Sequence, residues 1–172
     1  MTVLVTGGAG YIGSHTVLEL LDARERVVVL DDLSTGNAWA VPEGAKLIVG
    51  NVGDQVLVGR LIREHGIEAV IHFAASLVVP DSIRTPLDYY RNNTVNSRAL
   101  IECAVNCGVR HFIFSSSAAV YGNPDKTPVK EDAPTLPISM LLPPLAVALP
   151  AWNPTWMLLF PALPPLSAPA PK

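Results

Sequence analysis

The chain has 172 residues, of which 49% are hydrophobic, with 12 lysines and arginines against 15 aspartates and glutamates. This length suits one domain with a sizeable core. The net charge of −3 argues against strong attraction to nucleic acid. The histidines, at positions 15, 65, 72 and 111, lack metal-ligand spacing, so no metal site is expected.

The chain begins with a strand–turn–helix unit, predicted as a strand over residues 3–6 and a helix over residues 11–23. Glycines recur between them at three-residue spacing: Gly7, Gly10 and Gly13. Such a unit is typical of a phosphate-binding turn. Either Gly7 or Gly8 is expected to turn with positive φ, and Gly10 to admit a pyrophosphate. Gly13 is expected to let the helix pack on the strand.

A second buried strand is predicted over residues 27–30 and is followed by two carboxylates, Asp31 and Asp32. Asp31 lies 18 residues after Gly13. A carboxylate there accepts hydrogen bonds from the adenosine ribose and repels a 2′-phosphate, so NAD is favoured over NADP. The alternative is a solvated aspartate pair at a strand end.

Helices and strands alternate along the next 80 residues. The predicted elements are a loop over 33–44, strands over 46–49, 68–74 and 109–114, and helices over 53–65 and 86–107. Because the strands are continuously apolar, they predict a parallel sheet covered on both faces. The fold class is therefore α/β, a Rossmann-type doubly wound sheet, with a ligand crevice at the carboxyl ends of the strands.

The composition changes abruptly near residue 139. Residues 1–139 carry 26 of the 27 charged residues, whereas residues 140–172 carry only Lys172 and hold 9 of the 16 prolines. We therefore expect an NAD-binding domain over 1–139 and an aberrant, irregular, disordered proline-rich tail over 140–172. Its prolines break any helix long enough to span a bilayer, so no membrane association is expected. A reading-frame change near Ser139 is favoured over a docking tail.

Cys103 and Cys107 are four residues apart, on one face of a predicted helix. We expect buried free thiols of a reducing compartment rather than a disulfide or a metal site. The short, glycine-interrupted apolar N-terminus does not resemble a secretory signal. A cytoplasmic location is therefore expected.

Five motifs occur together in order: TGGAGYIGSH, VVVLDDLSTGN, HFAA, DYYRNNTVNS and FSSSAAVYG. In these motifs the chain resembles the N-terminal part of the extended short-chain dehydrogenase/reductases, the NAD-dependent epimerase/dehydratase family, and within it the UDP-glucose 4-epimerase branch. The resemblance covers residues 2–139. It implies a sheet truncated relative to the family, NAD as cofactor and a nucleotide-sugar substrate, and it leaves a homodimer open.

The resemblance also implies roles for individual residues. Ser117 would hydrogen-bond the reacting hydroxyl of the sugar. Asn51 stands where the family often has Asp, and Leu77 stands where some epimerases carry Lys. The implied cofactor-binding residues are Gly7, Gly10, Tyr11, Ile12, Gly13, Asp31, Asp32, Leu33, Ser34, Thr35, Gly36, Asn51, Val52, Phe73, Ala74, Ala75, Ser76, Leu77 and Asn93.

The family's catalytic base is a tyrosine with a lysine four residues later, and this pair is not found here. The resemblance places the two positions at Leu141 and Leu145, neither of which ionises. The resemblance also implies that the substrate-binding domain is absent, so impaired epimerisation is expected. The alternatives are another nucleotide-sugar epimerase or dehydratase, or a non-catalytic NAD-binding remnant. Ala118 and Ala119 argue against a dehydratase, which carries Asp and Glu there.

Overall fold

Five parallel strands form one sheet within the part of the chain that the structure describes. The computed structural model describes residues 1–116, 118–124, 126–130 and 132–134. The strands are β1 Thr2–Thr6, β2 Arg26–Asp31, β3 Lys46–Val49, β4 Ala69–His72 and β5 His111–Phe114. The helices are α1 Tyr11–Asp22, α2 Gln55–His65, α3 Val79–Arg84, α4 Pro86–Tyr89 and α5 Asn96–Asn106. Short 3-10 turns occupy Ala38–Ala40 and Ala118–Tyr121.

Both faces of the sheet are buried, which explains the unbroken apolar runs of the central strands. Val3 and Val5 of β1 point towards α1 and pack with its Val17 and Leu20. Leu4, between them, points to the opposite face. The cluster on that face joins β1, β2 and β4 to α2 and α5, and its fully buried members are Leu4, Leu30, Val58, Val70 and Leu100. The predicted doubly wound α/β fold is therefore confirmed for the described residues.

The strand order reverses direction between β1 and β4. From β1 the chain proceeds outward to β2 and β3, then crosses to β4 and β5 on the other side. The ends of these strands are aligned across the sheet. Thr6 pairs with His72, Leu30 of β2 pairs with Thr6, and Phe114 of β5 pairs with His72. A reversal of this kind opens a crevice at the carboxyl ends of the two central strands.

Several predicted boundaries differ from the structure. Strand β4 covers four residues rather than the predicted 68–74. Phe73 makes the last hydrogen bond to β1, and the chain then packs against Gly7, where Ala74 N lies 2.7 Å from the position of a Cβ. Helix α2 starts at Gln55 rather than residue 53, because the Asp54 carboxylate accepts the N–H groups of Val56 and Leu57. Strand β5 starts at His111 rather than residue 109.

The predicted long helix over 86–107 is helical throughout but not uniformly α-helical. A π segment, Tyr90–Val95, separates α4 from α5. Helix α3, on the other side of Thr85, is not predicted by the sequence. Helix α5 ends as predicted, with Gly108 following the C-cap at a φ of 73°.

Within the described ranges, no helix is both long and apolar enough to cross a membrane. No cluster of three or more His, Cys, Asp or Glu side chains has the geometry of a metal site in that part of the chain. The two cysteines are free thiols, with Cys103 buried and Cys107 half-buried. Residues 140–172 lie outside the described residues, so their predicted disorder and the boundary at 139 stay predictions.

Candidate nucleotide-binding site

The turn between β1 and α1 is held so tightly that two of its glycines have no room for a side chain. Gly7 has a φ of 71° and donates its N–H to Leu30 O on the neighbouring strand. A Cβ on Gly7 would lie 2.7 Å from Ala74 N. A Cβ on Gly13 would lie 2.1 Å from Gly7 O. The predicted positive φ therefore falls on Gly7, and Gly13 lets α1 pack against the turn itself.

The N-terminus of α1 faces the crevice without a cap. Gly10 is the N-cap residue, and it has no side chain that could accept a hydrogen bond from the first turn. Tyr11 and Ile12 are exposed, at 83% and 56% of their surface. The first backbone N–H groups of an α-helix have no acceptor within the helix and carry its partial positive charge. This end of α1 can therefore bind an anion such as a pyrophosphate.

Asp31 connects the glycine turn to the loop after β2. Its side chain is only 7% exposed, yet both oxygens are hydrogen-bonded to backbone N–H groups. Oδ2 accepts from Ala9 N at 2.9 Å, and Oδ1 accepts from Leu33 N at 2.9 Å. Each carboxylate oxygen offers two lone pairs, so Asp31 retains acceptor capacity for hydroxyl groups.

The loop after Asp31 closes against the same turn. Leu33 adopts a φ of 58°, a conformation that Leu rarely takes. Its N–H donates the hydrogen bond that Asp31 Oδ1 accepts. Asp32 is exposed and accepts from the N–H and the hydroxyl of Ser34. Gly36 lies against Ala9 and Asp31, while Thr35 is exposed. Residues 31–36 thus form one wall beside the glycine turn.

Four polar side chains connect this wall to the segment after β4. Asn51 donates to Asp32 Oδ2 at 3.4 Å, and its own oxygen accepts from Asn96 Nδ2 at 3.1 Å. Asn96 also donates to Asn92 Oδ1 at 3.3 Å, and Asn92 donates to Ser76 Oγ at 2.8 Å. Asn92 and Asn96 are not among the predicted site residues. The run of asparagines in the DYYRNNTVNS motif is the signal that points to them.

Val52 contributes differently from its neighbour Asn51. Its side chain is 5% exposed and packs in the core cluster with Leu30 and Val58. Only the backbone of Val52 is therefore available to border an adenine. The exposed amide of Asn51 remains accessible there.

Asn93 holds the segment after β4 by two hydrogen bonds to one residue. Its Oδ1 accepts from Ser76 N at 2.8 Å, and its Nδ2 donates to Ser76 O at 2.9 Å. Asn93 is buried, so it is not one of the solvated polar residues on the helix surface. Phe73, Ala74 and Ser76 are half-buried on this segment, and its remaining members, Ala75 and Leu77, are exposed.

His72, the last residue of β4, is buried between two hydroxyl groups. Its Nδ1 lies 2.6 Å from Thr6 Oγ1 and its Nε2 lies 2.8 Å from Ser97 Oγ. Ser97 in turn donates its hydroxyl to Asn93 O at 2.7 Å. Burial lowers the pKa of His72 to about 4, so the ring is neutral at physiological pH. Its place in the HFAA motif is the functional signal for this residue in the sequence.

Three predicted features of the reaction chemistry fall outside the described residues. They are Ser117 and the two positions, Leu141 and Leu145, at which the resemblance expects the base and its lysine. Ser115, just before them, donates its N–H to His72 O and so continues the edge of the sheet.

The model of the NAD dependent epimerase/dehydratase family matches residues 3–144. A UDP-glucose 4-epimerase of Azospirillum brasilense is 52% identical over 137 residues, which are 80% of this chain and 39% of the relative. The UDP-glucose 4-epimerase of Stenotrophomonas maltophila, solved with NAD and formylated UDP-arabinopyranose, superposes with a TM-score of 0.78 at 39% identity, over 82% of this chain and 44% of the other.

The Brucella ovis UDP-glucose 4-epimerase in complex with NAD gives a TM-score of 0.77 at 39% identity, over 81% of this chain and 43% of the other. The chain therefore spans about two fifths of the length of each of these three proteins.

Proposed function

The chain belongs to the NAD-dependent epimerase/dehydratase family, and from that premise we propose that it provides the NAD-binding part of a UDP-glucose 4-epimerase-type enzyme. The observation that carries the proposal is the uncapped N-terminus of α1 beside the buried carboxylate of Asp31. Together they offer N–H donors for a pyrophosphate and an acceptor for a ribose, at the edge where the strand order reverses.

In this proposal each wall of the crevice binds one part of the cofactor. The N–H groups of Tyr11 and Ile12 bind the pyrophosphate, and residues 31–36 surround the adenosine ribose. Asn51 and the backbone of Val52 border the adenine. Residues 73–77 are held by Asn93 and line the central part and the nicotinamide side of the cofactor. The Asp31 charge would repel a 2′-phosphate, which favours NAD over NADP.

The proposed substrate is a nucleotide sugar. NAD, when bound, supplies a hydride acceptor for C4 of the sugar and returns the hydride to the other face, which interconverts UDP-glucose and UDP-galactose. Ser117 would hydrogen-bond the reacting hydroxyl. Galactose metabolism in the cytoplasm is the corresponding setting.

Turnover by this chain is proposed to be impaired. Removal of a proton from the sugar hydroxyl needs a base of suitable pKa, and the expected positions hold Leu141 and Leu145. Loss of a general base lowers a rate by about 10²–10⁴-fold. The proposed activity of the 172-residue chain is therefore NAD binding with little or no epimerisation.

Two alternatives have observations in their favour. A solved relative binds a formylated UDP-arabinopyranose, which favours a sugar other than glucose as a second candidate. The leucines at 141 and 145 favour a non-catalytic NAD-binding protein. Ala118 and Ala119 stand where a dehydratase of the family carries Asp and Glu, which argues against that reaction.

Calorimetric titration of NAD into the 172-residue chain tests the proposal. Wild type is expected to bind and Asp31→Ala to bind more weakly. Asp22→Ala, an exposed carboxylate at the far end of α1, serves as the matched control and is expected to bind like wild type. Conversion of UDP-galactose is expected to be absent or weak. Absence of NAD binding by wild type would refute the proposed function, and robust conversion would refute the proposed impairment.

A further inference from the structure

The hydrogen bonds around His72 determine which ring nitrogen carries the proton. The Ser97 hydroxyl has a single hydrogen, which it donates to Asn93 O at 2.7 Å. Towards His72 the Ser97 oxygen can therefore only accept, so Nε2 must be the protonated nitrogen. A neutral imidazole carries one proton, so Nδ1 is an acceptor and Thr6 Oγ1 donates to it.

These bonds all run in one direction, from the sheet to the π segment. Thr6 on β1 donates to His72 on β4, His72 donates to Ser97 on α5, and Ser97 donates to Asn93. All four side chains are buried. Asn93 then fixes Ser76 through its amide. The last residues of the two central strands are thereby connected to the segment that lines the crevice.

We propose that His72, as the neutral Nε2–H tautomer, is a positioning residue that locks the π segment to the sheet so that Asn93 holds residues 73–77 against the cofactor crevice. The bond to Ser97 selects the tautomer and transmits this effect, and the Thr6 hydroxyl donates to the nitrogen that is left unprotonated. π segments are rare and occur mostly at functional sites. Here the π segment, Tyr90–Val95, contains both Asn92 and Asn93, which reach Ser76.

The proposal rests on the proposed NAD site for its effect on affinity, but not for the tautomer. Nitrogen-15 NMR of histidine-labelled protein reads the tautomer directly, and the His72 signals are identified by their loss in His72→Gln. We expect a protonated Nε2 and an unprotonated Nδ1 at neutral pH. A protonated Nδ1 would overturn the proposal.

A pair of amide variants separates the two bonds of the ring. His72→Gln places a donor near the Nε2 position and keeps the bond to Ser97, whereas His72→Asn places its amide near the Nδ1 position and loses that bond. We expect His72→Asn and Ser97→Ala to weaken NAD binding about fivefold or more, within the range of measured site couplings. We expect His72→Gln to bind within about twofold of wild type, a difference of about 0.4 kcal/mol.

Leu100→Ala is the control for a purely structural effect. Leu100 is fully buried on the same helix, α5, and lies in the core cluster rather than in the hydrogen-bond chain. The variant should lower the free energy of unfolding without changing the NAD affinity of the folded protein. Equal NAD affinity in wild type, His72→Asn and Ser97→Ala would overturn the proposal.

Hydrogen exchange at the Ser76 amide gives a readout that needs no cofactor. This N–H donates to Asn93 Oδ1, so its protection reports whether Asn93 still holds the segment. We expect Ser97→Ala to reduce its protection relative to the amides of β1, and Leu100→Ala to leave that ratio unchanged. If wild type binds no NAD, the proposed function fails, while the exchange ratio and the tautomer still decide the role of His72.

Discussion

Substitution of Gly13 by alanine perturbs the phosphate turn at its tightest point. The added Cβ would lie 2.1 Å from Gly7 O and 2.8 Å from Gly8 Cα, and both are backbone atoms that cannot rotate away. Overpacking of this kind costs about 1–3 kcal/mol, or more where backbone must move. Alanine gains about 1 kcal/mol of helix propensity over glycine. Because both clashing atoms are backbone, the cost lies at the upper end of this range or above it, and we expect a net loss of about 2 kcal/mol or more.

The matched control is the glycine inside α2. A Cβ on Gly59 would lie 3.3 Å from Arg63 Nη1, the flexible end of a side chain, and 3.4 Å from Cys103 Sγ. Little has to move there, so the helix propensity of alanine should prevail. Gly59→Ala is expected to stabilise the protein by up to about 1 kcal/mol.

Urea unfolding followed by circular dichroism measures the free energy of unfolding of both variants. The midpoint should fall for Gly13→Ala and rise for Gly59→Ala, with the slope unchanged in each. Because the turn must shift to admit the new methyl group, NAD affinity should also fall for Gly13→Ala alone. A Gly13→Ala protein as stable as Gly59→Ala, with wild-type NAD affinity, would refute the reasoning from turn geometry.

Three further predictions concern stability and reactivity. Asp54→Ala removes the cap that accepts two N–H groups of α2 and should lower the free energy of unfolding by about 1 kcal/mol in urea titration. Cys103 should be alkylated more slowly than Cys107 in peptide mass analysis at pH 8, because burial raises the pKa of its thiol and the thiolate is the nucleophile. Burial lowers the pKa of His72 from 6.5 to about 4, so below pH 6.5 the unfolded chain binds a proton that the folded chain does not. Stability should therefore fall by about 1–2 kcal/mol more between pH 7 and pH 5 in wild type than in His72→Gln.

The sheet was predictable because its signals are local. The central strands are apolar runs, since both faces of the sheet are covered there, and the edge strand β3 has the predicted bounds, Lys46–Val49. The positive φ at Gly7 and the close packing of Gly13 follow from the glycine spacing. Strand ends were less predictable: β4 stops at His72 because the next residue turns towards Gly7, a tertiary contact without a local signal.

The π segment could not be predicted from hydrophobic periodicity. Its buried residues, Asn93 and Thr94, are polar, so no apolar repeat within residues 86–107 marks the π segment. It determines, however, which asparagines reach Ser76, and so Asn92 and Asn96 were missed. The chain from Thr6 to Asn93 was missed for a related reason. Its members lie far apart in sequence, and only the register of β1 against β4 brings Thr6 and His72 together.

The most direct test of the proposed cofactor site is a pair of saturating calorimetric titrations of the 172-residue protein, one with NAD and one with NADP. We expect NAD to bind, and NADP to bind at least about tenfold more weakly, because Asp31 would face the 2′-phosphate. Failure of the folded protein to bind NAD, or equal affinity for the two nucleotides, would contradict the assignment of the crevice between residues 7–13 and Asp31.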